Sequence, residues 1–302
     1  MYDMIIIGAG PAGMTAAIYA RRAEKSVLVL EARSYGGQIV STPDIENYPA
    51  APHISGFDLA VKMYEQATAL GAEFKFERAV SIEDGETKTV ITSGGSYEAH
   101  AVIVAVGSEN RRLGIEGEEE LIGRGISYCA TCDGAFFRKK DVAVVGGGNT
   151  ALEDALYLAD LANTVYLIHR REGFRADEST VARLRERENV KFVLNSRVTK
   201  LIAEGSLKAV EVTDNDGSKT LLEVKGLFAA IGRIPENKDF GDVIDLDEGG
   251  YIRAGENCHT NAAGIFAAGD NRTKELRQLV TAAADGAVAA TEAIKYIAEL
   301  KQ

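Results

Sequence analysis

Two cysteines, Cys129 and Cys132, are separated by two residues and can close a small disulfide ring. Such a pair can take part in dithiol–disulfide exchange and so relay electrons. A zinc half-site is the alternative, but Cys258 and His259 are adjacent in sequence and poorly placed to chelate one tetrahedral ion together. Asp133 follows directly and could either cap a helix or supply the proton that dithiol–disulfide exchange requires. Cys258 is predicted to be a small buried apolar residue.

A glycine-rich turn lies near the start of the chain. Gly8, Gly10 and Gly13 follow an apolar stretch and precede an alanine-rich one, so they predict a strand, a tight turn and a helix. The amide groups of such a helix start bind a pyrophosphate. Glu31 ends the next apolar stretch, where its carboxylate could accept hydrogen bonds from an adenosine ribose. We therefore expect a dinucleotide with a free 2′-hydroxyl at this turn.

The same pattern begins again at Asp141, 138 residues after Asp3. In this copy His169 takes the place of Glu31, and three arginines lie beside it: Arg170, Arg171 and Arg175. Guanidinium groups bind a 2′-phosphate where a carboxylate would repel it, so the second copy predicts an NADPH site. The alternative is that these arginines belong to a solvated loop, among the acidic residues Glu172, Asp177 and Glu178.

The repeat predicts an α/β fold with two Rossmann-like dinucleotide-binding domains, each built in three layers. Buried strands ending in glycine, Ala101–Gly107 and Leu227–Gly232, are expected to complete the two sheets. The final strand, Gly264–Asp270, and a helix from about Leu276 to Leu300 have no glycine turn of their own, so we expect them to join the first domain. The predicted domains are residues 1–112 with 241–302, and an inserted domain at 113–240.

Composition excludes several classes of protein. With 34 Lys+Arg and 45 Asp+Glu, the net charge of the 302 residues is −11, which disfavours binding to nucleic acid or to an anionic membrane. Three cysteines are too few for a disulfide scaffold, and their odd number points to a reducing compartment. The first residues carry no cationic leader, and no apolar run approaches the ~20 residues of a membrane span. A cytoplasmic protein is expected.

These motifs resemble those of the low-molecular-weight NADPH-dependent thioredoxin reductases, which are flavoprotein disulfide reductases. The resemblance covers nearly the whole chain, and its most specific part is Cys129–Gly134 inside the second domain. It implies FAD in the first domain, NADPH in the second, a homodimer, and thioredoxin or a thioredoxin-like protein as electron acceptor. The other matching stretches are Gly8–Gly13, Gly36–Gln38, Glu46–Pro49, Gly146–Ala151, His169–Arg171, Phe174–Arg175 and Ala267–Asp270.

The resemblance also implies roles for individual residues. Cys132 would exchange electrons with the flavin and Cys129 would attack the partner's disulfide, with Asp133 as the proton donor. Around FAD it implies Gly8, Gly10, Pro11, Ala12, Gly13, Glu31, Gly36, Gly37, Gln38, Asn47, Gly107, Asp270, Arg277, Gln278 and Leu279, and around NADPH it implies Gly146, Gly148, Asn149, Thr150, His169, Arg170, Arg171 and Arg175.

Three other functions would use parts of this chain. The reductase component of a peroxide-reducing system has the same two domains but normally carries an extra N-terminal disulfide domain. This chain starts at the first predicted strand. A thiol oxidase would have no use for Arg170 and Arg171, and a flavin-bearing binding protein would not need the cysteine pair.

In a reductase the nicotinamide and the disulfide must reach the flavin in turn. Domain rotation is therefore expected, with hinges near Gly107–Gly117 and Asn237–Gly241.

Overall fold

The computed structural model describes residues 1–300, which form two compact units. Unit 1 contains residues 1–109 together with the chain from residue 234 onward, and unit 2 is the inserted segment Asn110–Arg233. The first domain is therefore discontinuous, as predicted. The predicted boundaries, after residues 112 and 240, lie slightly further along the chain than the limits of these units.

Residues 1–300 form seventeen strands and six α-helices. The strands are β1 (Tyr2–Ile7), β2 (Val27–Leu30), β3 (Glu73–Lys75), β4 (Ala79–Glu83), β5 (Lys88–Thr92), β6 (Ser96–Val104), β7 (Ser108–Asn110), β8 (Ile126–Ser127), β9 (Asp141–Val145), β10 (Thr164–Ile168), β11 (Val190–Val193), β12 (Ser196–Glu204), β13 (Ser206–Asp214), β14 (Lys219–Glu223), β15 (Gly226–Ala229), β16 (Arg233–Pro235) and β17 (Ile265–Ala267). The helices are α1 (Pro11–Arg22), α2 (Gly56–Ala69), α3 (Ala130–Asp133), α4 (Asn149–Ala159), α5 (Glu178–Arg185) and α6 (Leu279–Glu299).

The central sheet of unit 1 is parallel in its middle and antiparallel at one edge. Its order is β3-β2-β1-β6-β5-β4, and β17 pairs in parallel with the second half of β6. Both faces of the parallel strands are buried, which explains their continuous apolar sequences. Helices α1 and α6 pack together on one face, and Gly286 permits their close approach because a Cβ there would lie 2.1 Å from the Ala12 carbonyl oxygen. The last strand and helix thus belong to unit 1.

The last helix begins later than the sequence suggested. Helix α6 starts at Leu279 rather than near Leu276, because Gln278 is its N-cap and forms a capping box with Thr281. The residues between β17 and α6 therefore remain a loop. This loop carries several of the predicted cofactor contacts.

Unit 2 is built around a five-stranded parallel sheet with the order β11-β10-β9-β15-β8. Helices α3 and α4 pack on one face in an apolar cluster, and the antiparallel sheet β12-β13-β14 covers the other face. The unit is therefore three-layered, with a sheet in place of helices as the third layer. In the part of the chain that the structure describes, no helix is long and apolar enough to cross a membrane.

The chain passes between the units at β7 and β16, which pair with each other in a two-stranded sheet. The segment predicted as the second hinge, Asn237–Gly241, lies in unit 1, a few residues after this crossing. Asn237 is fully buried in unit 1, where its side-chain amide donates to the carbonyl oxygens of Gly250 and Asn271. These bonds tie the start of this segment to two other loops of unit 1.

Candidate active site

The cysteine pair lies at the carboxyl end of the edge strand of the unit 2 sheet. Strand β8 ends at Ser127, Cys129 is the N-cap of the short helix α3, and Cys132 is its third residue. The two cysteines form a disulfide with their Cα atoms 5.3 Å apart. The Ser127 hydroxyl oxygen accepts a hydrogen bond from the Cys129 amide at 3.1 Å, so the strand end fixes the start of the redox segment.

Asp133 lies close to the disulfide, and its carboxylate accepts a hydrogen bond from the Ser127 hydroxyl at 2.6 Å. Burial raises the pKa of Asp133, and the hydrogen bond from Ser127 offsets only part of that rise. Asp133 occupies the N-cap position of the 3₁₀ helix Gly134–Phe137, but its side chain makes no capping hydrogen bond there. A half-buried carboxyl that holds its proton more tightly than usual is suited to donate it to a leaving thiolate.

The redox segment continues into an exposed aromatic and basic surface that sequence reasoning missed. Phe136 is 40% exposed although it is a large apolar residue, and Phe137 is half-buried against Phe228. The basic residues that follow, Arg138, Lys139 and Lys140, are all exposed. In the sequence, this surface was indicated only by the apolar pair Phe136 and Phe137 after the cysteine motif, and such a pair is usually part of a core.

A cavity of about 360 Å³ opens at the carboxyl ends of the unit 1 strands. The first glycine turn forms its floor: Gly8 has φ = +106°, and a Cβ at Gly13 would lie 1.9 Å from the Gly8 carbonyl oxygen. A Cβ at Gly10 would meet no atom within 4 Å. The predicted residues that line the cavity are Gly8, Gly10, Pro11, Ala12, Glu31, Gly37, Gln38, Gly107, Asp270, Gln278 and Leu279.

The remaining predicted residues of this site support the lining rather than form it. The Gly36 amide donates to the Ala9 carbonyl, which connects the segment 36–38 to the glycine turn. Asn47 donates to the Gln278 side chain at 3.2 Å. The Arg277 guanidinium lies 4.2 Å from the centre of the Tyr251 ring and donates to the Asp270 carbonyl oxygen.

Glu31 follows the last residue of β2 and lines the cavity. One carboxylate oxygen accepts from the Ala9 amide at 2.8 Å, and the other accepts from the Arg33 amide at 2.9 Å. Each oxygen can accept a further hydrogen bond, so the carboxylate can order the turn and still bind a ribose hydroxyl. Arg33, which was not predicted, also lines the cavity and pairs with Glu109 at 2.6 Å.

The second glycine turn, Gly146–Ala151, has the same construction. A Cβ at Gly146 would lie 2.3 Å from the Ala230 carbonyl oxygen, and helix α4 begins directly after Gly148. Asn149 and Thr150, its first two residues, are exposed. Asn149 does not simply face solvent: its side-chain oxygen accepts from the Asp177 amide at 2.9 Å. The turn is thereby joined to the loop that carries the arginines.

The three arginines are exposed in the loop that follows β10. The Arg175 amide donates to the Gly147 carbonyl at 2.7 Å, so this loop is bonded directly to the glycine turn. Among residues 1–300 none of the three arginines forms an ion pair with a neighbouring carboxylate. Their guanidinium groups are available for an anion, which weakens the alternative of a charge-paired surface loop.

His169 packs against the second glycine turn, where a Cβ at Gly147 would lie 2.1 Å from the imidazole. Its ring stacks on Phe174 with centroids 5.3 Å apart. Burial lowers the pKa of His169, and the three neighbouring arginines lower it further, so the ring is neutral. Within the described part of the chain, its buried Nε2 atom has no hydrogen-bond partner and lies against Gly147.

Known proteins share this arrangement over the whole chain. The family model for pyridine nucleotide-disulphide oxidoreductases matches residues 2–286. A thioredoxin reductase from Listeria innocua is 46% identical, covering 100% of this chain and 96% of that protein. The crystal structure of thioredoxin reductase from Streptococcus pyogenes superimposes with a TM-score of 0.95 at 42% identity, covering 99% of both chains.

A second solved structure has nearly the same sequence identity but a lower structural similarity. Lactococcus lactis thioredoxin reductase, in its FR conformation, is 41% identical and covers 99% of this chain and 100% of its own, with a TM-score of 0.68. Since the family model and a full-length relative both match, the chain belongs to the pyridine nucleotide-disulphide oxidoreductases and, within them, to the low-molecular-weight thioredoxin reductases.

Proposed function

We propose that this chain reduces the disulfide of thioredoxin, or of a thioredoxin-like protein, at the expense of NADPH. The observation that carries the proposal is the Cys129–Cys132 disulfide, with Asp133 beside it, in a unit that also has an arginine-rich nucleotide turn. The names of the relatives support thioredoxin as the acceptor.

We also propose that the protein acts in the cytoplasm as a homodimer. Its single free cysteine, Cys258, is buried, which suits a reducing compartment.

The unit 1 cavity fits FAD. Its glycine turns leave room for a pyrophosphate against backbone amides, and a Cβ at Gly10 would project into open space. In our assignment Glu31 would hold the adenosine ribose, and Asp270 and Gln278 would line the far part of the cavity. FAD, when bound, supplies the two-electron redox chemistry that couples a pyridine nucleotide to a disulfide.

NADPH would bind at the second glycine turn. Arg170, Arg171 and Arg175 are exposed and offer charge-assisted hydrogen bonds to its 2′-phosphate, while His169 packs against the glycine turn at Gly147. Burial and the adjacent arginines keep this imidazole neutral, so it adds no charge of its own. The bond between Asn149 and Asp177 holds the arginine loop against the turn before the nucleotide arrives.

Exchange with the acceptor protein would proceed in two steps at the reduced pair. The Cys129 thiolate attacks one sulfur of the acceptor disulfide; a mixed disulfide forms, and the other acceptor sulfur leaves as a thiolate that takes a proton from Asp133. The Cys132 thiolate then attacks the sulfur of Cys129. This step releases the second acceptor sulfur as a thiolate, which takes a proton from solvent, and restores the Cys129–Cys132 disulfide.

The reaction includes rotation of the two units relative to each other. The disulfide and the proposed NADPH turn both belong to unit 2, whereas the proposed FAD cavity belongs to unit 1. In one fixed arrangement of the two units, either the disulfide or the bound nucleotide could face the cavity, but not both. Two solved relatives of 42% and 41% identity superimpose on this chain with TM-scores of 0.95 and 0.68, which supports this motion.

Steady-state NADPH consumption by the FAD-loaded protein tests the proposal. We expect rapid consumption with oxidised thioredoxin, much slower consumption with NADH in place of NADPH, and little consumption with oxygen or hydrogen peroxide alone. Consumption of NADPH that does not depend on thioredoxin would contradict the proposed acceptor. Consumption that requires peroxide would favour the peroxide-reducing alternative.

A further inference from the structure

A buried carboxylate on the last helix accepts four hydrogen bonds from three residues of the loop between β17 and α6, one of which, Gly269, lines the unit 1 cavity. Asp285 lies in α6, and its side chain is 8% exposed. It accepts hydrogen bonds from the Gly269 amide at 2.9 Å, from the Arg272 Nε and Nη2 atoms at 2.9 and 2.8 Å, and from the Lys274 Nζ atom at 2.8 Å. None of these four residues was singled out for this role in the sequence.

The cluster is unusual in charge and burial. The side chains of Arg272 and Lys274 are 1% and 5% exposed, so two buried cations share the one buried carboxylate. Burial by itself would raise the pKa of Asp285, but the hydrogen bonds from Arg272, Lys274 and Gly269 outweigh it and lower the pKa. Leaving either cation unpaired in this position would be strongly destabilising.

Cys258 lies against the same cluster, with its Sγ atom 3.6 Å from the Asp285 carbonyl oxygen. Burial, and then the charge of Asp285, raises the pKa of this thiol to about 12. The thiol therefore stays protonated and takes no part in the exchange at Cys129 and Cys132. The cluster is a structural device and not a second redox centre.

Each bond to Asp285 restrains a different point of the loop between β17 and α6. The bond to Gly269 fixes a residue with φ = +91° immediately before Asp270, which lines the cavity. Arg272 accepts a hydrogen bond from Arg277 through its carbonyl oxygen, so the restraint extends to the residue before the α6 N-cap. Gly286, the residue after Asp285 in α6, contacts the first turn of α1.

We propose that Asp285 is a positioning residue for the FAD site: through Gly269, Arg272 and Lys274 it holds the loop 269–278 in the form that receives the flavin nucleotide. This inference rests on the proposed assignment of FAD to the unit 1 cavity. Asp285 itself does not line that cavity. It acts by keeping the loop assembled before the cofactor binds.

The first test measures the FAD-free protein by hydrogen exchange. In Asp285→Asn we expect the amides of residues 269–278 to exchange at least tenfold faster, with little change elsewhere in unit 1. Ile297→Ala is the matched control because Ile297 is fully buried on the same helix, far along it from the loop. The control should lower thermal stability without a selective effect on this loop. Equal exchange of the loop in wild type and Asp285→Asn would overturn the proposal.

The second test is FAD affinity, measured by fluorescence titration of the same FAD-free proteins. We expect the Kd of Asp285→Asn to rise on the order of tenfold and the Kd of Ile297→Ala to change less than twofold. If Asp285→Asn does not fold, Lys274→Gln removes one donor charge and should give a smaller rise in Kd, with the same local exchange. An unchanged Kd in a folded variant would overturn the positioning role alone. A wild-type protein that bound no FAD would overturn the proposed function with it.

Discussion

Cys129 is the N-cap of the short helix α3 whereas Cys132 lies within it, and we expect different roles for the two cysteines. Replacing Cys132 with serine should leave Cys129 able to attack thioredoxin but unable to release it, so a stable mixed disulfide should accumulate. Cys129→Ser, the matched variant, should form no stable complex. Non-reducing electrophoresis and mass spectrometry of the linked peptide identify the cysteine involved. A complex linked through Cys132 in the Cys129→Ser variant would mean that the roles are reversed.

Asp133 gives the reaction a pH dependence whose sign follows from its environment. Because burial raises its pKa, the carboxyl stays protonated to a higher pH than an exposed aspartate, and the proton donor is lost as the pH rises through that pKa. Asp133→Asn should lower kcat with thioredoxin by on the order of a hundredfold and remove this inflection from the pH profile. Ser127→Ala removes the one bond that lowers the pKa, so the inflection should move to higher pH. Superimposable profiles for wild type and both variants would contradict the assignment.

The sequence made some of these residues predictable and not others. The cysteine pair and the glycines stand at fixed short spacings, so they were recognisable without a structure. Asp285 acts on a turn 16 residues away, across a loop, and nothing in a helix rich in alanine distinguishes its carboxylate from a solvent-exposed one. Ser127 and Arg33 were missed for the same reason: their partners are set by how the strand ends approach each other.

At the scale of elements, the end of β10 and the loop after it should determine which nucleotide is used. Each charge-assisted contact is worth ~1.5–3 kcal/mol, so replacing Arg170 and Arg171 together with alanine should reduce the preference for NADPH over NADH by on the order of a hundredfold. The values of kcat/KM for both nucleotides measure this. The double variant Arg183→Ala/Arg185→Ala on α5 has the same change of charge at exposed positions outside the loop and should keep the preference. An unchanged preference in the first variant would contradict the NADPH site.

The elements themselves were predictable where their sequence pattern is local. The two strand–turn–helix units follow from continuous apolar runs and glycines, and both form as expected. The start of α6 was misplaced because its capping box depends on the side chains of Gln278 and Thr281, in a stretch with no strong breaker. The sheet β12–β14 as the third layer of unit 2 could not be foreseen, because its alternating sequence does not specify which surface it covers.

For the whole molecule, we expect turnover to require movement between the units. Bifunctional crosslinkers should give products joined between residues 110–233 and the rest of the chain, and these should retain FAD but lose NADPH-dependent thioredoxin reduction. Products crosslinked within one unit, separated and identified by mass spectrometry, serve as the control and should remain active. The glycines of the first connecting segment, Gly107, Gly114 and Gly117, have φ between 70° and 81° and can absorb changes in backbone angle. Normal turnover of the protein locked between units would refute the requirement.

The central claim is that an electron pair from NADPH passes through Cys129 and Cys132 on its way to a protein disulfide. An anaerobic titration of the FAD-loaded protein tests it most directly, with the two cysteines alkylated and counted by mass spectrometry after each addition. NADPH alone should convert Cys129 and Cys132 from a disulfide to two thiols. Oxidised thioredoxin added next should restore the disulfide and yield two thioredoxin thiols for each NADPH oxidised. Thioredoxin reduced while Cys129 and Cys132 stay joined throughout would contradict the account.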